Sequence, residues 1–106
     1  MLNGQVSLEW AQAFAGRLLK DAGPDANKQI DEAFRLAFGR HPDGFEKDTV
    51  QTFFQTQHQL IVARVNGGEK LALPAAMPAD YDPVRAAALV DFCQMLLNSN
   101  EFVYRN

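Results

Sequence analysis

The chain has 106 residues, 47% hydrophobic and 22% charged, a length and composition that fit one domain with a modest core of its own. Its formal net charge of −3 and isoelectric point near 5.2 argue against a nucleic-acid or anionic-membrane surface, and no apolar run approaches the roughly 20 residues that a membrane span needs. Cys93 is the single cysteine, so no internal disulfide can form.

Met1-Leu2-Asn3-Gly4 leads directly into a polar-spotted helix and lacks the character of a secretory leader. The first helix is expected over about 7–22. It starts near Ser7, with Val6 and Ala11 placed as a hydrophobic staple around that cap. Leu8, Ala11, Phe14, Ala15, Leu18 and Leu19 make its apolar stripe, with Trp10 beside it. Gly23-Pro24 ends it, because Gly suits the residue after a helix and Pro cannot continue one.

The second helix is expected over about 27–38, starting at Asp25 or Asn27. Ile30, Ala33, Phe34, Ala37 and Phe38 line its face, and Gly39 stops it. Arg40 and His41 then carry the chain to Pro42. A third helix follows over about 44–65. It opens with Asp43-Gly44-Phe45-Glu46, the spacing of a capping box. Val50, Phe53, Phe54, Gln57, Leu60, Ile61 and Val65 recur along it at helical spacing, and Asn66-Gly67-Gly68 ends it.

The long connection, about 67–81, contains Pro74 and Pro78, which forbid a regular helix. Leu71, Leu73 and Met77 are apolar enough to pin part of it to the body of the protein. The fourth helix, about 83–97, is the most clearly written. Asp82 caps it and Pro83 occupies the first helical position, where a missing N–H costs nothing. Val84, Ala88, Leu89, Phe92, Cys93, Leu96 and Leu97 form one broad face, with Met95 near its edge. Asn98-Ser99-Asn100 ends the pattern, Asn being tolerant of the left-handed conformation that helix ends often use. Phe102-Val103-Tyr104 follow Glu101 as a short aromatic segment. The expected architecture is therefore all-α: one domain over 1–106, a small antiparallel bundle of about four helices, with one long Pro-containing loop before the last.

Three stretches carry a family resemblance. ALVDFCQMLLNSNEFVYRN, MLNGQVSLEWAQAFAGRLL and IDEAFRLAFGRHPDGFE are similar, in family order, to parts of a large family of secreted bacterial proteins of unknown function, typical of planctomycetes. The Leu-Leu-Asn-Ser-Asn-Glu-Phe run is the most specific part. The Gly-Arg-x-Pro turn alone is weak, because other helical families use it. Asp43 stands where the family often has Thr; both cap helices. The resemblance implies an exported parent, periplasmic or extracellular, whose signal lies outside this chain. It also implies neighbouring domains, a second uncharacterised one and often a cytochrome c-like one.

No catalytic motif is present. His41 and His58 sit on different elements, and no ligand spacing joins them to Cys93 or to a carboxylate, so no metal is expected. Cys93 lies on an apolar stripe with no base in sight, which describes a core cysteine better than a nucleophile. There is no Cys-x-x-Cys-His run to hold a c-type haem, and no cofactor is expected. Asp21, Asp25, Asp31, Glu32, Asp43, Glu46 and Asp48 crowd the helix starts, where capping and dipole interactions account for most of them. Gly67-Gly68 lacks the Lys and Ser/Thr of a phosphate loop and reads as a helix stop.

Two candidate sites remain. Arg35 and Arg40 could form an anion site at the turn, against local pairing with acids or carbonyls. Asn98, Asn100 and Glu101 carry the strongest family-like signature, either as a small polar site or as a hydrogen-bonded helix terminus; the second is favoured because short Asn side chains satisfy nearby backbone groups. The function these features suggest is a structural or protein-interaction module of a larger exported protein, with other domains of the parent or another protein as partners. The alternative is an accessory part of an enzyme or redox assembly whose chemistry lies in other domains, which rests on analogy alone.

Overall fold

Capping geometry sets the boundaries of the helices. The computed structural model describes residues 7–99 and contains α1 (Leu8–Ala22), α2 (Ala26–Phe38), α3 (Gly44–Asn66) and α4 (Pro83–Leu97). Each helix begins behind a side-chain oxygen that takes up an orphan N–H of the first turn. Ser7 accepts from the Trp10 N–H at 3.3 Å, Asp25 from Lys28 at 3.2 Å, Asp43 from Glu46 at 2.8 Å and Asp82 from Val84 at 3.0 Å. Such caps contribute on the order of 1 kcal/mol apiece. The expected spans therefore agree to within a residue at each end. Val6, the other half of the expected staple, lies outside the described residues.

Two helix ends differ in kind. Gly39 takes the left-handed conformation (φ 72°, ψ 20°) and its N–H donates to the Arg35 carbonyl, the glycine stop that the sequence implies. Asn98 does not: its φ is −93° and ψ 1°, its N–H donates to the Gln94 carbonyl, and the Ser99 N–H donates to that of Leu96. The last turn simply tightens, so the left-handed conformation that Asn tolerates is not used there.

α4 is the centre of the packing. It lies against α1 and α3 along most of its length and also touches α2. Its expected stripe is buried apart from the half-buried Val84, and so are Ala86, Ala87 and Val90 on its flanks. The run Ala86-Ala87-Ala88 explains this. Three small side chains let neighbouring helices approach on two sides, so the helix is enclosed rather than laid on a surface. Phe92, fully buried, meets Phe54 of α3 edge to face at 5.4 Å between ring centroids. Phe34 and Phe38 of α2 make a similar pair at 5.4 Å.

α3 departs from its expected stripe. Val50, Phe54 and Ile61 are buried, but Leu60 is 51% exposed and Val65 is an exposed hydrophobic as well. The apolar residues of this helix are spread around its circumference, and α4 covers only one side. Leu8 and Trp10 at the start of α1 are likewise exposed.

The long connection is strapped to α1. The Ala75 N–H donates to the Gln12 carbonyl at 3.0 Å, and Gln12 Nε2 donates to the Leu73 carbonyl at 2.8 Å. Gly16 makes the close approach possible, since a Cβ there would stand 3.2 Å from both N and O of Ala76. Leu71, Leu73 and Met77 pack on the core as expected, joined by Tyr81. No helix among the described residues is long and apolar enough to cross a membrane.

Candidate functional site

The end of the bundle where α3 starts and α4 stops presents an apolar surface. Phe45 is the second residue of α3, immediately inside the Asp43 cap. That position turns its ring outward, and it is 80% exposed. Across from it on α4 stands Met95, 45% exposed. Between them lies a shallow dent walled by Phe34, Val50, Phe92 and Leu96, with Glu46 and Thr49 at its border. A phenyl ring held in water forgoes about 1.5–3 kcal/mol of burial, and exposed Phe and Met over an apolar floor are typical of contact surfaces.

The corner beside this dent explains the Gly-Arg-x-Pro-Asp sequence. Arg40 grips Glu46 with two parallel bonds, Nη1 to Oε1 and Nη2 to Oε2, both 2.9 Å. Glu46 Oε1 also accepts the Asp43 N–H at 2.9 Å, closing the capping box. The Arg40 guanidinium lies 5.5 Å from the Phe34 ring centroid and 5.7 Å from that of Phe38. Its side-chain bond to Glu46, with the Asp43 N–H second, holds the Glu46 carboxyl at about 2 against an ordinary 4.5. Arg35 is similarly engaged, pairing with Glu32 one turn earlier at 3.1 and 2.9 Å; that bond raises its already high pKa. Each of the two candidate anion-site arginines thus carries a carboxylate of its own. Of the second candidate cluster, Asn98 caps α4, while Asn100 and Glu101 lie outside the described residues.

A buried polar network, not picked out by the sequence reading, sits at the other end of α4. Gln29 of α2 is completely buried. Its Nε2 donates to the Gly23 carbonyl at 2.7 Å and to the Tyr81 hydroxyl at 3.2 Å. Its Oε1 accepts from Arg85 Nη2 at 2.9 Å. Arg85 lies flat on Phe54, with Cζ 3.7 Å from the ring centroid. Its Nη1 is buried with no acceptor. Burial pushes this guanidinium below its ordinary value, partly offset by Tyr81 and Asp82. The signal was present in the pattern: Gln29 shares a face with Ala33 and Ala37, and Arg85 stands four residues before Leu89 and seven before Phe92 on the apolar stripe. A polar residue inside an apolar stripe demands a partner.

Cys93 is fully buried, and burial pushes its thiol far above the ordinary range, which disfavours the reactive thiolate. His41 is exposed in the α2–α3 turn, and His58 is exposed on α3. Among the described residues no three His, Cys, Asp or Glu side chains converge as a metal site. No family model, no curated protein and no solved structure matches this chain.

Proposed function

We propose that the chain is a non-catalytic helical module that holds another domain of a larger exported bacterial protein against the Phe45–Met95 face. The observation that carries this reading is the Phe45 ring, 80% exposed beside a dent whose floor is apolar. The capping box and the Arg40–Glu46 pair fix the backbone on which that ring stands, so the aromatic group is presented from a rigid corner. A rigid aromatic anchor loses little conformational entropy on binding, and aromatic anchors dominate the energetics of contact surfaces. The partner's matching surface is apolar, because Glu46 is occupied by Arg40 and offers no free charge. The exported setting and the neighbouring domain are supported by the resemblance of the Leu96-Leu97-Asn98-Ser99-Asn100-Glu101-Phe102 run.

Light scattering over a concentration series tests this, with Phe45→Ser as the comparison. An apolar face without its partner is expected to self-associate, giving a mass that rises above the 11.8 kDa chain at high concentration. The variant is expected to remain monomeric with an unchanged melting temperature. A wild-type chain that is monomeric throughout, indistinguishable from Phe45→Ser, would overturn the reading.

A further inference from the structure

We propose that the crevice between α3 and α4 binds a small organic carboxylate with a planar apolar body, and that Arg85 receives the carboxylate. The crevice is open to solvent, offers about 400 Å³ and is lined by Phe54, Gln55, His58, Gln59, Arg85 and Ala88. It lies at the opposite end of α4 from Met95 and does not depend on the interaction surface above.

The first argument is charge. Of the described arginines, Arg17, Arg35, Arg40 and Arg64 each stand within ion-pair distance of a carboxylate. Arg85 has none. Its Nη2 is satisfied by an uncharged amide oxygen, and its Nη1 is buried with no acceptor. A buried donor left unpaired costs about 1–3 kcal/mol, more when it carries charge. The unliganded protein thus holds a cation whose fork is half used, beside an open crevice. A carboxylate supplies what that fork lacks, since the guanidinium matches its two oxygens.

The second argument is the shape and polarity of the walls. Phe54 and Ala88 supply apolar surface. Gln55, His58 and Gln59 make no side-chain hydrogen bond among the described residues and stand free to meet a ligand's edge. One cation among neutral amides suits a monoanion with an apolar body. A phosphate would call for further positive groups, and the protein's net charge of −3 works against a dianion. Nη1 is closed to solvent, so binding through it requires the guanidinium to shift along the Phe54 face toward the crevice. The stacking contact tolerates such sliding, because it is not directional in the way a hydrogen bond is.

The test is an NMR titration of the isotopically labelled full chain with benzoate, with acetate and inorganic phosphate run in parallel. Benzoate is expected to give saturable shifts confined to Phe54, Gln55, His58, Gln59, Ala88 and the Arg85 Nε signal, with a dissociation constant on the order of millimolar. Acetate, lacking a body, is expected to bind about tenfold more weakly, and phosphate more weakly still. Arg85→Met is expected to abolish the saturable shifts. Gln55→Glu with Gln59→Glu places negative charge at the rim without touching the core, and is expected to weaken benzoate by at least about tenfold, so the proposal stays testable should Arg85→Met fail to fold. Absence of saturable benzoate shifts in the wild-type chain, equal binding by folded Arg85→Met, or phosphate binding more tightly than benzoate would each overturn the proposal.

Discussion

Arg40 shows how one side chain can make a turn rigid. Its two bonds to Glu46 span from the residue after the α2 stop into the first turn of α3, while its flat face rests near two core aromatics. Glu46 serves the pair and the capping box at once. Its carboxyl is held at about 2 when folded, against about 4.5 ordinarily, so the charged form is favoured by folding. The stabilisation is therefore complete above about pH 4.5 and is lost as pH falls through about 2. Glu46→Gln keeps an oxygen for the Asp43 N–H but loses the charge. The variant should be less stable at neutral pH by on the order of 1 kcal/mol, and its melting temperature should fall less than that of the wild type between pH 4.5 and pH 2. Parallel losses in the two proteins would show that the pair contributes nothing.

At the scale of the element, the long connection illustrates what composition alone leaves out. Two prolines exclude a helix and Leu71, Leu73 and Met77 suggest a partly pinned loop, but not that Pro74 is buried and the backbone tied to Gln12 on both sides of it. Gly16 is the permissive residue on α1. Gly inside a helix costs roughly 0.5–1 kcal/mol relative to Ala, and close approach of another backbone is what it gains here. Gly16→Val should force the strap away from α1 and cost on the order of 2 kcal/mol. Limited proteolysis should then cut within residues 72–78, a stretch expected to resist in the wild type. A variant with unchanged melting temperature and the same cleavage pattern would mean that the strap yields without cost.

For the whole molecule, Gln29 joins parts that are far apart in the chain. It ties the end of α1 at Gly23, the loop at Tyr81 and the first turn of α4 at Arg85 to the middle of a buried helix face. Gln29→Ala would leave a carbonyl, a hydroxyl and a guanidinium nitrogen without that partner. The expected loss is about 2–4 kcal/mol, read from chemical denaturation, well above the effect of an ordinary surface Gln→Ala change. A loss within about 0.5 kcal/mol would show that water replaces the amide at no cost. Because one apolar cluster includes residues from all four helices, unfolding should remain a single transition in both proteins.

The local information in this chain was legible because it is written within a few residues. Ser7, Asp25, Asp43 and Asp82 announce helix starts, Gly39 and Pro24 announce stops, and the spacing of Leu89, Phe92, Cys93 and Leu96 announces a buried face. These depend on nearest-neighbour backbone geometry, so the all-α architecture, the helix spans and the broad apolar face of α4 followed from the sequence. Tertiary structure alone decided which apolar residues stay outside. Leu60 and Phe54 stand on the same expected stripe, yet Leu60 faces water while Phe54 meets Phe92 and Arg85. Helical period specifies a face but not how wide the neighbouring helix is, and α4 covers only part of α3. The same reason hid the Gln29–Arg85 pair. Its members are separated by 56 residues, and no pattern within either helix reports that the two faces meet.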